Sequence, residues 1–125
     1  MSNDHYGDQR FLVDIHDPAN YRVYDMDGEV QDNMSYIPLS YDKNGDGNGS
    51  YVIRMQPGAV TIPHVHDGNE DYLILEGELI ESDGTVLRTG TFVHYDPGTH
   101  HNSRTETGCL LIAVDWGKPA ARDAG

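Results

Sequence analysis

Cysteine is nearly missing from this sequence. Its 125 residues hold a single one, Cys109, so no disulfide can close within the chain. Positive charge is scarce as well. There are 8 Lys and Arg against 21 Asp and Glu, a formal net charge of −13 with His neutral. Such a surface repels phosphate, which argues against a nucleic-acid partner and against an anionic membrane. No apolar run approaches the ~18–20 residues of a membrane span. The start, Met1-Ser2-Asn3-Asp4-His5, is polar and acidic and lacks the apolar core of a signal peptide. The expected compartment is therefore the cytoplasm. A convincing helical period is missing too, and the best helical candidate, Asp17-Pro18-Ala19-Asn20-Tyr21, is too short to decide a fold class.

What is present reads as short strands cut by turns. Tyr36–Leu39, Tyr51–Met55, Tyr72–Glu76, Glu78–Glu81, Val86–Arg88, Thr91–Tyr95 and Cys109–Val114 are apolar, β-branched or aromatic pieces. Pro57-Gly58, Gly77, Gly90 and Asp96-Pro97-Gly98 stop them, and Ser82-Asp83-Gly84-Thr85 has the chemistry of a hairpin turn. Turn signals every ~8–12 residues are the spacing of an all-β sandwich or barrel. In strand 51–55, Tyr51, Ile53 and Met55 share one face, which is the better choice for the interior.

The chemically informative stretch is Gly58 to Glu70. His64 and His66 are two apart, so on a strand both imidazoles point to one side. Glu70 follows across an Asp67-Gly68-Asn69 bend that lets the next strand begin with its carboxylate on that same side. Two imidazoles and a carboxylate suit a divalent transition metal. A fourth ligand has three candidates, His94, His100 and His101, and of the adjacent pair only one can face the site. Tyr72 shares the strand parity of Glu70 and can line the same cavity, and His94 is a second candidate for a catalytic or substrate-contacting role.

Gly58, five residues, His64-x-His66, three residues, Glu70, six residues and Gly77 match the first cupin motif throughout. The second motif departs from the usual pattern, with an extra residue between Gly90 and Pro97 and with Asn102 directly after His101. Pro97-Gly98-Thr99-His100-His101 and Gly108-Cys109-Leu110-Leu111 resemble the cupin domain of zinc-dependent anti-sigma factors and related metal-dependent dioxygenases. The resemblance implies a single-domain cupin, an all-β double-stranded β-helix or jelly-roll barrel. It covers about residues 36–116, leaving 1–35 as an N-terminal extension and 117–125 as a polar tail. It also implies His101 as the fourth metal ligand beside His64, His66 and Glu70, with His100 at a serine-like position.

Other features have plainer readings. Asp42-Lys43-Asn44-Gly45-Asp46-Gly47 matches half of a calcium loop, but the twelfth position is Ile53, so a hairpin loop is expected. Cys109 reads as a small core residue. Phe11-Leu12-Val13-Asp14-Ile15 alternates and could add an edge strand to its own sheet or to a neighbour's. The expected function is a metal-dependent dioxygenase that cleaves a C–C bond in a small dicarbonyl or hydroxy-ketone. It would use one divalent transition metal per chain, Fe(II) favoured over Zn, Mn, Ni, Co or Cu. The alternatives are a metal-binding sensor without catalysis, an isomerase or lyase on the same site, and a metal-free binder. The expected partners are a small-molecule substrate and a second copy in a homodimer.

Overall fold

The structure is a computed structural model, and it describes residues 9–25 and 30–118, apart from the side chains of His64 and Val65. The described residues form ten strands: β1 (Arg22–Tyr24), β2 (Gln31–Pro38), β3 (Gly49–Met55), β4 (His64–Val65), β5 (Asn69–Glu81), β6 (Val86–Arg88), β7 (Phe92–Tyr95), β8 (His100–His101), β9 (Ser103–Arg104) and β10 (Cys109–Trp116). The order β1-β2-β3-β10-β5-β6 runs through one curled antiparallel sheet, with β7 and β9 also paired to β5. β4 and β8 form a separate two-stranded ribbon that sets His64 opposite His101. Among the described residues no helix is long and apolar enough to cross a membrane. A 3-10 turn, Pro18–Asn20, is capped by the Asp17 carboxylate on Ala19 N–H.

The central strands carry side chains of period two, and one set lines the interior. Tyr51, Ile53 and Met55 of β3 pack inside with Leu111 and Ala113 of β10 and Tyr72 and Ile74 of β5. Truncating a residue as enclosed as Leu111 to Ala costs ~2–5 kcal/mol. Cys109 belongs to this core, and burial pushes its thiol up to about 12, which leaves it inert. The opposite face of β2, β3 and β10 holds Ile37, Val52 and Leu110, with Val13, Ile15 and Tyr21 packed against them. The segment Phe11–Ile15 therefore adds no edge strand to its own sheet. It crosses the outer face of the sheet, with Val13 and Ile15 on the apolar cluster and Phe11 and Leu12 exposed.

Gly77 does not end a strand, contrary to expectation. β5 runs through it for 13 residues. Before Gly77 it pairs with β10 and β7, and after it with β6 and β9. The register with β10 slips between Leu110 and Leu111, next to this point. Gly77 sits at φ +77, and a Cβ there would lie 2.1 Å from the Gly108 carbonyl oxygen. A bulge at glycine turns the strand from one part of the sheet into the other without breaking it. Ser82–Thr85 closes β5–β6 as a hairpin, with Glu81 N–H donating to the Thr85 carbonyl at 2.9 Å. Asp42–Gly47 is a turn between β2 and β3, and Ile53 is buried in the core rather than near that loop.

Candidate metal centre

His66 stands between β4 and the Asp67-Gly68 bend, and the backbone locks it there. Its N–H donates to the Thr99 carbonyl at 2.9 Å and its carbonyl accepts from Gly98 N–H at 2.7 Å. Gly98 adopts φ +86 in the Asp96–Thr99 turn, a conformation open to glycine after Pro97. Glu70 enters on β5, and β8 delivers His101 inward while His100 stays exposed. His66, Glu70 and His101 are all buried, and one ligand atom from each lies within 4.8 Å of the others. Glu70 Oε1 is 2.7 Å from His66 Nε2 and 3.8 Å from His101 Nε2, and the two Nε2 atoms are 3.0 Å apart.

Outer partners set the tautomers. The Thr99 hydroxyl donates to the Asp96 carbonyl at 2.7 Å, so its oxygen accepts from His66 Nδ1–H at 3.0 Å. His101 Nδ1–H donates to Glu81 Oε2 at 2.6 Å, and Ser103 Oγ–H donates to Glu81 Oε1 at 2.8 Å. With both Nδ1 atoms carrying hydrogens, the neutral imidazoles turn two Nε2 lone pairs toward one carboxylate oxygen. A proton satisfies one of these contacts; a divalent cation satisfies all three. Adjacent ligands on bonds of ~2.1 Å stand ~3 Å apart, close to the spacing seen here. The donor set fits a transition metal.

The electrostatics agree. Burial lowers the basicity of His101, but the Glu70 and Glu81 carboxylates outweigh it and raise its pKa to about 9. Burial would raise Glu70, yet hydrogen bonds from His101, His66, Asp115 and Tyr72 hold it well below the usual carboxylate range. The cluster is thus poised around one positive charge.

Tyr72 O–H donates to Glu70 Oε1 at 2.6 Å. Burial, reinforced by the Glu70 charge, pushes the phenol well above its ordinary value, so it stays a donor. His94 is not brought to this cluster. It faces outward on β7, between the carboxylates of Asp71 and Asp96 and beside the Trp116 ring. Its alternation partner Tyr95 points inward, stacked on His101 at 4.4 Å between ring centres. The side chain of His64 lies outside the described residues; its backbone pairs with His101.

The sequence reading missed Glu81, Thr99, Tyr51, Tyr95 and Asp115. Tyr51 O–H lies 3.3 Å from Glu70 Oε2 and 3.2 Å from Asp115 Oδ2. Burial and the neighbouring Glu70 charge push the Asp115 carboxyl up to about 8. A cavity of about 150 Å³ opens beside the cluster, lined by Tyr24, Tyr41, Tyr51 and Tyr72 with His66, Glu70, Asp115 and Lys118. A strand-parity signal for Asp115 existed, because Cys109, Leu111, Ala113 and Asp115 share one face.

A curled antiparallel sheet carrying a His–Glu cluster inside it defines a cupin. Residues 24–118 match the ChrR cupin-like domain family, and the chain belongs to that family. Acetylacetone dioxygenase from Acinetobacter johnsonii is similar in fold, with TM-score 0.69 at 13% identity, covering 86% of this chain and 74% of that one. An RmlC-like cupin from Shewanella frigidimarina gives TM-score 0.63 at 20% identity over 85% and 89% of the two chains. The anti-sigma ChrR of Rhodobacter sphaeroides, solved with SigE, gives TM-score 0.62 at 16% identity, over 90% of this chain and 55% of that one. At these identities the likeness is one of fold. No curated protein matches the chain in sequence.

Proposed function

We propose that the chain is a metal-dependent cupin enzyme, a dioxygenase that cleaves a C–C bond in a small dicarbonyl or hydroxy-ketone. The observation that carries this reading is the meeting of two imidazole lone pairs and a carboxylate oxygen at the wall of a small cavity. His66, Glu70 and His101 hold the metal, with His64 as the fourth ligand. A divalent ion there would supply Lewis acidity toward two chelating oxygens and, as Fe(II), the favoured ion, a redox relay through which the substrate's own electrons could reach O2; Zn, Mn, Ni, Co and Cu suit the same donors.

The chain's own side chains arrange this site. Tyr72 is a positioning residue: its hydroxyl fixes Glu70 Oε1 toward the imidazoles. Glu81 holds His101 in the ligating tautomer, and the Tyr95 ring lies flat against it. The tyrosine walls restrict the cavity to a small molecule. The test is oxygen uptake by the Fe(II)-loaded protein across a panel of β-dicarbonyls and hydroxy-ketones, with cleavage products identified by mass spectrometry. No turnover with Fe, Mn, Ni, Co, Cu or Zn contradicts the enzyme reading.

A second reading, a metal-binding regulatory cupin without catalysis, is favoured by the match to the ChrR cupin-like family and the likeness to an anti-sigma factor. Stoichiometric capture of a sigma factor by the purified, metal-loaded chain, with no turnover, supports it.

A further inference from the structure

The cavity beside the metal cluster carries one ammonium group. Lys118 follows β10, and among the described residues it is the one lysine or arginine in the cavity lining. Its side chain is 27% exposed, so it stands where the cavity meets solvent. The residue is held there by its backbone. Its N–H donates to the Asn48 side-chain oxygen at 3.0 Å, and the Asn48 amide reaches back to the Lys118 carbonyl at 3.5 Å. Two glycines make room for the aliphatic stem. A Cβ at Gly68 would lie 2.8 Å from Lys118 Cγ, and one at Gly47 would lie 3.4 Å from Nζ.

The ammonium has three donor hydrogens. Among the described residues one acidic oxygen comes within 4 Å of it, Asp115 Oδ2 at 3.8 Å, which is beyond hydrogen-bond distance. Of the other acids in the lining, Glu70 faces the imidazoles and Asp67 is exposed. Lys118 therefore keeps donors for an anionic group that enters the cavity. The net charge of −13 opposes the approach of an anion. Exposed charges more than ~8–10 Å away are screened at physiological ionic strength, whereas a direct ammonium–carboxylate hydrogen bond is a short, strong contact. The local contact decides. A volume of about 150 Å³ keeps the ligand small.

We propose that Lys118 makes the site selective for small carbonyl compounds that bear a carboxylate, whose carbonyl oxygens meet the His66–Glu70–His101 cluster while the carboxylate pairs with the Lys118 ammonium. This rests on the metal-site reading above and narrows its substrate class to keto acids. A dicarbonyl with alkyl ends occupies the cluster and leaves the ammonium to water.

Zn(II)-loaded protein separates binding from redox chemistry. Isothermal titration compares acetylacetone with 2,4-dioxopentanoate, in which a carboxylate replaces one methyl group. The unaltered chain binds the keto acid at least about tenfold tighter, the scale of a hydrogen bond to a charged group. Lys118→Met keeps an aliphatic stem and the backbone bonds to Asn48 but loses the charge, and the preference falls about tenfold. Lys118→Arg keeps the charge and retains part of the preference. Circular dichroism and bound Zn check each variant, and Lys118→Gln gives the same reading where the Met variant fails to fold. Equal affinity for the two compounds in the unaltered chain, or binding of neither, overturns the proposal. So does a preference that is unchanged in Lys118→Met, which assigns the choice to the metal alone. A chain that takes up no Zn overturns the metal-site reading and this proposal with it. Absence of oxygen uptake by the Fe(II)-loaded protein contradicts only the dioxygenase reading and leaves the binding preference measurable, so the failures are told apart.

Discussion

Glu81 shows what a single side chain contributes to the metal cluster without touching it. Its Oε2 takes the His101 Nδ1 hydrogen, which leaves Nε2 as a lone pair. Glu81→Gln weakens that acceptor, and metal affinity falls by about 10–100-fold in a chelator-competition titration. Unchanged affinity would remove Glu81 from the account. His94 is a contrasting case. Asp71 and then Asp96 raise its pKa above 6.5 by hydrogen-bonding the imidazolium. The folded value is the higher one, so this group's contribution to stability is fully present below pH ~6.5 and is lost as pH rises through the folded pKa. NMR titration of the His94 ring gives a midpoint above 6.5, and Asp71→Asn moves it down. The residues visible from spacing and strand parity were those of one short segment, His66, Glu70 and Tyr72, with His101 added by family likeness. Glu81, Tyr95 and Thr99 escaped because they meet the site through strand pairings and a turn remote in sequence. Asp115 escaped for a different reason: its strand parity was readable, but an acid at the end of an apolar strand looks like a boundary.

At the level of elements, alternation and turn residues placed most of the strands, since a half-buried strand must repeat its apolar residues every second position. They failed at Gly77, where the same residue type serves as a stop or as a bend. Only the approach of the Gly108 carbonyl from β10's edge decides between the two, and that contact spans the sheet. Gly77 and Gly84 then make a matched pair. Both have positive φ, +77 and +89, but a Cβ at Gly84 meets nothing within 4 Å. Gly84→Ala costs about 1–2 kcal/mol of backbone strain alone. Gly77→Ala adds a clash with backbone and costs clearly more, about 3 kcal/mol or above. Denaturant unfolding of both variants checks the order; equal losses would mean that β5 does not bend at Gly77 as described. The segment Phe11–Ile15 was misleading in a related way. Its alternation is real, but it seats Val13 and Ile15 on the outside of β2, β3 and β10 rather than pairing a sheet edge.

For the whole molecule, a formal charge of −13 accompanies a buried cluster of neutral and acidic donors that fits one cation. An overall negative field favours cations near the protein. Because the donors converge only in the folded chain, bound metal stabilises that state, and the thermal midpoint rises with added metal and returns on chelation. Metal content tests the account most directly. Elemental analysis after reconstitution with divalent metal and removal of excess gives about one equivalent per chain, and His66→Ala loses most of it while His94→Ala keeps it. Less than about a tenth of an equivalent in the unaltered protein, or full retention in His66→Ala, would contradict the assignment of this cluster as a metal centre.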